Sequence, residues 1–306
     1  MGRDPWPEPT IEGTAAILGY SIYYRICGDP HASATVLCIH GGPGGTHDYL
    51  RPLADLARSG YRVVLFDQLG CGRSTRITDT RLFTVEHHLG EVDALRRSLG
   101  LGRVHLFGSS YGGALALRYA IEHPSAVRSV VTAGGLASIP LTVAEERKWI
   151  AELPAAARAT LQRGEERGAF DTPEYQAAMM EFYRRHVCRL PVWPDEVQYT
   201  FDQMSAPVYH YMNGPNEFTI VGTIRDLDFT DRLGEIRAPT LVTGGRYDEV
   251  SPAVARAIAE RVPNAELAIF DHSSHTPFWE ERAAYFARVA EFLRRVDSLD
   301  PLPRSS

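Results

Sequence analysis

The stretch Val104-His105-Leu106-Phe107-Gly108-Ser109-Ser110-Tyr111-Gly112-Gly113 decides the fold. Four apolar or strand-forming residues run into Gly-x-Ser-x-Gly. The small-residue segment Ala114-Leu115-Ala116-Leu117-Arg118-Tyr119-Ala120, which reads as helix, runs out of it. Strand, sharp turn and helix together form the context in which such a pentapeptide presents a nucleophile. The flanking glycines leave room where a side chain would strike the neighbouring strand or helix. Ser110 is then pushed up with its hydroxyl exposed above a helix N-terminus, while Ser109 fills the variable slot as a structural residue.

Working outward, strand-like and helix-like runs alternate. Thr14–Cys27 reads as a strand pair turned at Leu18-Gly19-Tyr20. Strands are expected at 35–40, 61–67, 104–107 and 127–132, and helices at 49–59 and 85–99. Repeated β-α-β units imply a mostly parallel sheet with helices on both faces. From 137 to 233 the texture changes to helical patterns (143–151 and 173–187) rich in Glu, Arg, Pro and aromatic residues. The rhythm then resumes, with strands at 239–243 and 265–270 and helices at 252–261 and 282–296. The expected architecture is an α/β-hydrolase core of residues 1–136 and 234–306, with a helical cap of residues 137–233 inserted after the sixth strand.

Composition bounds the function. The 306 residues are 44% hydrophobic and 23% charged, ordinary for a globular protein with a sizeable core. A net charge of −6 and the absence of a dense Lys/Arg run argue against a nucleic-acid partner. Lys148 is the only lysine. The N-terminal residues are polar and proline-rich, and no stretch approaches a membrane span, so neither signal segment nor membrane partner is expected. Cys27, Cys38, Cys71 and Cys188 are scattered without metal-ligand spacing, which reads as reduced thiols in a cytoplasmic protein. No metal or organic cofactor is called for, and a monomer is the simplest expectation.

A serine hydroxyl needs a base to take its proton, and the base needs a third group to hold its tautomer. On this kind of sheet the partners follow in the order Ser, acid, His, each on a loop after a strand. Asp248 in Gly244-Gly245-Arg246-Tyr247-Asp248 is the acid that follows a strand. His275 and His272 share the next such loop, and spacing favours His275. Asp226, Asp228 and Asp231 read as turn or surface residues. Backbone N–H donors for the oxyanion are expected from Tyr111, beside the nucleophile, and from Gly42 in His40-Gly41-Gly42-Pro43-Gly44-Gly45. A phosphate-cradling role for that glycine loop fails, because no Lys-Ser/Thr follows and the proline removes a donor. Asp67-Gln68-Leu69-Gly70-Cys71-Gly72-Arg73-Ser74 is expected to shape the pocket floor, with Arg73 a structural ion-pair partner.

These motifs resemble the proline iminopeptidase family of α/β-hydrolases over nearly the whole chain. The resemblance rests on 40–45, 67–74, 108–113, Met212-Asn213-Gly214-Pro215-Asn216-Glu217-Phe218, Tyr247-Asp248-Glu249, and His275 with Trp279-Glu280. The 212–218 segment is similar to the tricorn-interacting aminopeptidase branch. The resemblance implies a Ser110–Asp248–His275 triad, lifting His275 above His272. It also implies that Glu217 and Glu249 grip the free α-ammonium of a substrate. Taken alone, Glu217 reads as a turn residue and Glu249 as a helix cap.

The expected activity is a serine hydrolase that removes an N-terminal residue, proline or a small one such as alanine, from a peptide or aminoacyl amide through an acyl-enzyme. The alternatives within this chemistry are an amino-acid amidase and an amidohydrolase. The latter would strip an alanyl-type protecting group from a macrolactam or polyketide-type intermediate in natural-product biosynthesis. The many cap aromatics are expected to be mostly cap core, with a minority lining a channel for an apolar leaving group. A carboxylesterase shares the triad but has no use for paired glutamates, and a non-catalytic relative would be expected to lose a triad member.

Overall fold

The computed structural model describes residues 6–299. Eight strands form one sheet in the order β1-β2-β4-β3-β5-β6-β7-β8. They are β1 (Pro9–Ile17), β2 (Tyr20–Cys27), β3 (Thr35–Ile39), β4 (Arg62–Phe66), β5 (Val104–Ser109), β6 (Val127–Ala133), β7 (Thr240–Gly245) and β8 (Ala265–Phe270). β1 pairs antiparallel with β2, and β2 antiparallel with β4; every other pair is parallel. The β1–β2 turn places Leu18 and Gly19 at positive φ (49° and 89°), the backbone of the tight hairpin turn that matches strand twist.

The helices are α1 (Val85–Ser98), α2 (Tyr111–Glu122), α3 (Ile139–Ala151), α4 (Ala155–Arg167), α5 (Pro173–His186), α6 (Asp195–Asp202), α7 (Ala206–Met212), α8 (Pro252–Ala259), α9 (Pro277–Glu280) and α10 (Arg282–Leu299). Strand alternation sorts the core into two layers. Leu37, Ile39, Val64, Phe66, Leu106 and Val242 face α1, α2 and α8. Val36, Cys38, Val63, Leu65, Phe107 and Leu241 face α10 and the 48–59 segment. Buried on both faces, the central strands read as continuous apolar runs.

Between β6 and β7 the chain runs through α3 to α7, the helical cap expected after the sixth strand. It has a core of its own, with Tyr175, Met179, Phe182 and Tyr183 of α5 packed on Leu153, Leu161 and Phe218. Most of the aromatic side chains of this stretch therefore serve packing. α3 begins at Ile139, earlier than the periodicity from 143 suggests, because the Ser138 hydroxyl accepts from Leu141 N–H and caps it. The segment read as a helix at 49–59 is a 3-10 helix over Asp48–Ser59 with Pro52 inside it. Its apolar spacing still buries Leu50, Leu53 and Leu56. Cys27, Cys38, Cys71 and Cys188 are free and buried. No described helix is long and apolar enough to cross a membrane.

Candidate active site

β5 ends at Ser109 and α2 begins at Tyr111, so Ser110 alone makes the turn, at φ 56° and ψ −126°. A non-glycine residue there carries strain of the order of 1–3 kcal/mol, which the surrounding packing has to hold. The packing is tight enough to do so. A Cβ at Gly108 would lie 2.2 Å from the carbonyl oxygen of Gly112, and one at Gly112 would lie 2.2 Å from that of Ile39. Ser110 N–H donates to Ala133 O at 2.9 Å, tying the turn to the neighbouring strand.

The loop after β3 lies against this turn, and a Cβ at Gly41 would come within 2.7 Å of the Ser110 Cβ. Gly41 N–H donates to the Tyr49 hydroxyl at 2.8 Å. Gly42, at φ 118°, offers an N–H that no described residue accepts.

Asp248 follows β7 and is fully buried, while His275 follows β8 and is 6% exposed. The His275 Nδ1 lies 2.6 Å from Asp248 Oδ1, which also accepts Val250 N–H at 2.9 Å. His275 and Ser110 face the same cavity, and no described residue is hydrogen-bonded to the Ser110 hydroxyl. Gly134, after β6, makes room for the pair, since a Cβ there would come 2.5 Å from the His275 ring and 2.9 Å from Asp248 Oδ2. His272 is exposed, and its backbone N–H donates to Glu281. Glu280 and Glu281 pin this loop through Ser274 and Ser273, and the Trp279 indole donates to Tyr49 O at 2.7 Å. Trp279-Glu280 is therefore a brace for the histidine.

Two cavities meet at Ser110. The outer one, about 480 Å³, is lined by Tyr49, Val187, Val197, Phe201, Met204 and His275. The inner one, about 310 Å³, is lined mainly by Tyr111, Leu136, Ile139, Thr142, Ile224 and Val250. Gly42, Ser110, Glu217 and Glu249 belong to both, so the glutamates stand on the shared wall. Glu217 accepts from the Tyr209 hydroxyl at 2.8 Å and is half-buried. Glu249 is 3% exposed, and its Oε2 has no hydrogen-bond partner among the described residues. It does not cap α8; Ser251 does, by accepting from Ala253 N–H. Glu146, which the sequence reading did not single out, also lines the inner cavity.

Burial pushes the Glu217 and Glu249 carboxyls up, that of Glu249 well above the usual range, with Glu217 adding to the effect on Glu249. Burial alone would push His275 down. The charges of Asp248 and Glu249, the latter 3.6 Å from Nε2, outweigh it and raise the imidazole to about 10.

Residues 67–74 line neither cavity, contrary to the expectation that they form the pocket floor. They anchor the glycine loop from below. Asp67 accepts from His47 N–H, the His47 ring and Arg73 N–H, each at 2.8 Å, and Gln68 N–H donates to His40 Nε2. These donors occupy the one described His/Asp cluster compact enough for a metal ion, His47, Asp48 and Asp67. Arg73 pairs with Glu12 at 2.7 Å, as an ion-pair partner should.

The α/β hydrolase fold family matches residues 34–282. The proline iminopeptidase of Saccharolobus solfataricus is 43% identical over 291 residues, 94% of either chain. The crystal structure of VinJ has a TM-score of 0.92 at 38% identity, covering 94% of this chain and 100% of that one. The proline iminopeptidase of Mycobacterium smegmatis has a TM-score of 0.88 at 35% identity, covering 94% and 99%. Matched over nearly its whole length in sequence and in three dimensions, the chain belongs to the proline iminopeptidase family of α/β-hydrolases.

Proposed function

We propose that this chain is a serine hydrolase that releases one N-terminal residue from a short peptide or aminoacyl amide. The observation that carries the reading is the pair Glu217 and Glu249 on the cavity wall that also holds Ser110. Two carboxylates converging in a partly dry site repel each other, and a substrate α-ammonium between them relieves this through charge-assisted hydrogen bonds. A mid-chain peptide amide carries no such charge, so cleavage is limited to the first residue. Residues 137–233 act as the cap over a core of 1–136 and 234–306.

The same ammonium frees the base. In the empty site the surrounding carboxylates hold His275 protonated well above neutrality. A cation between Glu217 and Glu249 offsets that field, and the ring gives its proton to solvent. Neutral His275 then takes the Ser110 proton as Oγ adds to the first carbonyl, while Asp248 holds Nδ1–H and stabilises the imidazolium. The N–H groups of Gly42 and Tyr111 receive the oxyanion. Collapse breaks the C–N bond, and His275 returns its proton to the leaving amine. Water, deprotonated by His275, adds to the acyl-enzyme and releases the amino acid and Ser110. The four buried thiols suit work in a reducing cytoplasm, and the reaction asks for no second subunit.

A second reading concerns the leaving group. Val187, Val197, Phe201 and Met204 make the outer cavity apolar, which suits an aminoacyl amide of a hydrophobic amine as well as a peptide. One comparison tests both readings: rates on prolyl, alanyl and N-acetyl-alanyl arylamides and on an alanylated hydrophobic amine. Acetylation is expected to abolish nearly all turnover, and equal rates on acetylated and free substrates refute the glutamate grip. A hydrophobic amine that outpaces the arylamides favours the biosynthetic role.

A further inference from the structure

Ile139, Thr142 and Glu146 recur at helical spacing on α3 and form a buried stripe on that helix. All three face the inner cavity, where Leu136, Ile220, Ile224 and Val250 supply the aliphatic wall and Asn213, Glu217 and Glu249 the polar one. Glu146 is 2% exposed, no described residue is hydrogen-bonded to its carboxyl, and its Oε2 is sealed from solvent. Buried carboxyls are normally paired, and an orphan one aimed into a cavity marks a place for a donor from outside the chain.

The charges around that cavity indicate which donor. Four acidic groups, Asp248, Glu217, Glu249 and Glu146, crowd the site, against one imidazole, one substrate α-ammonium and the Arg147 guanidinium, which is itself paired with Glu165 at 2.9 Å. Burial and the nearby Glu217 push the Glu146 carboxyl up, and a cation beside it would offset both.

We propose that Glu146 makes the inner cavity select a first residue with a short cationic side chain, an α,ω-diamino acid of the 2,4-diaminobutyryl class. This rests on the reading that the chain removes N-terminal residues, with the side chain of that residue entering the inner cavity. The α-ammonium lies between Glu217 and Glu249, and the second ammonium meets Glu146. The inner cavity is the smaller and more enclosed of the two, which suits a short side chain. A site built around a buried acceptor discriminates strongly against the isostere that leaves it unmatched.

The test uses near-isosteric pairs of arylamides: 2,4-diaminobutyryl against norvalyl, and threonyl against valyl, with alanyl as reference. The wild-type enzyme is expected to favour 2,4-diaminobutyryl over norvalyl by about tenfold or more in kcat/KM, and Glu146→Gln to lose at least about tenfold of that ratio. Ratios are unaffected by the folded fraction. The same ratio in wild type and Glu146→Gln overturns the proposal, as does a wild-type enzyme with no preference in that pair. A Glu146-dependent preference for threonyl alone overturns the cationic assignment. If even alanyl arylamide is inert, the aminopeptidase reading fails; if it is cleaved and the ratios stay flat, only the role of Glu146 fails.

Discussion

The sheet and the cap build the site in different ways. The sheet delivers Ser110, Asp248 and His275 on turns directly after β5, β7 and β8, each turn hemmed in by backbone atoms of its neighbours. The cap delivers Glu146 from the middle of α3, and Glu217 and its Tyr209 partner from α7 and the segment after it. The sheet side tolerates no atom more, since Gly108, Gly112 and Gly134 leave less than 3 Å for a Cβ. The outer cavity has apolar side chains on its cap side. On the proposed reading, bond-making depends on crowded backbone, and choice of substrate on exchangeable side chains, those of the cap together with Glu249 beside Asp248.

That contrast orders the effects of substitution. Ser110→Ala is expected to lower kcat by about 10⁴-fold or more while the thermal midpoint stays near that of the wild type. Ser110→Gly, equally inactive, should raise stability by about 1 kcal/mol in denaturant titration, because glycine accepts the strained turn. Gly134→Ala should cost about 10²-fold in kcat by displacing the imidazole, with KM little changed. If it behaves like wild type, the crowding of the sheet side is not what holds the base.

Glu249→Gln is expected to lower kcat/KM on free-amine substrates by about 2–5 kcal/mol in transition-state binding and to make an N-acetylated substrate no worse. It should also move the acid limb of the kcat/KM profile downward. In the free enzyme His275 has to lose its proton, and removing a carboxylate that raises its pKa lets this happen at lower pH. A limb that stays in place argues that Glu249 does not act on the imidazole.

On the cap side, Phe201→Ala should lower kcat/KM about tenfold for an apolar leaving group and leave hydrolysis of alaninamide unchanged, since ammonia does not fill the outer cavity. Equal losses on both substrates would erase the distinction between the two halves.

The same contrast explains how much of the molecule was legible in its sequence. Ser110, Asp248 and His275 lie beside glycines or at strand ends, and a local string therefore reports their setting. Glu217 and Glu249 rest on family resemblance; read alone, a turn and a helix cap explain them equally well, and their place on one shared wall is what supports the resemblance. Glu146 escaped notice because a glutamate in a polar helix looks solvated until the rest of the chain covers it. Its recurrence with Ile139, Thr142 and Ile150 in a buried stripe was the available signal. The misplaced pocket floor at 67–74 shows the reverse error: a conspicuous motif that props the site from below without facing it.

One peptide carbonyl has consequences for how substrates get in. His186 O, at the end of α5, accepts the backbone N–H groups of both Glu249 and His275, at 3.1 and 3.2 Å. The Trp149 indole of α3 adds a bond to Asp248 O at 2.9 Å. The roof is thus bolted to the very loops it shelters, and swinging it upward would drag the imidazole out of alignment. Substrate entry that leaves these bonds intact keeps the imidazole in register while the ceiling stays put.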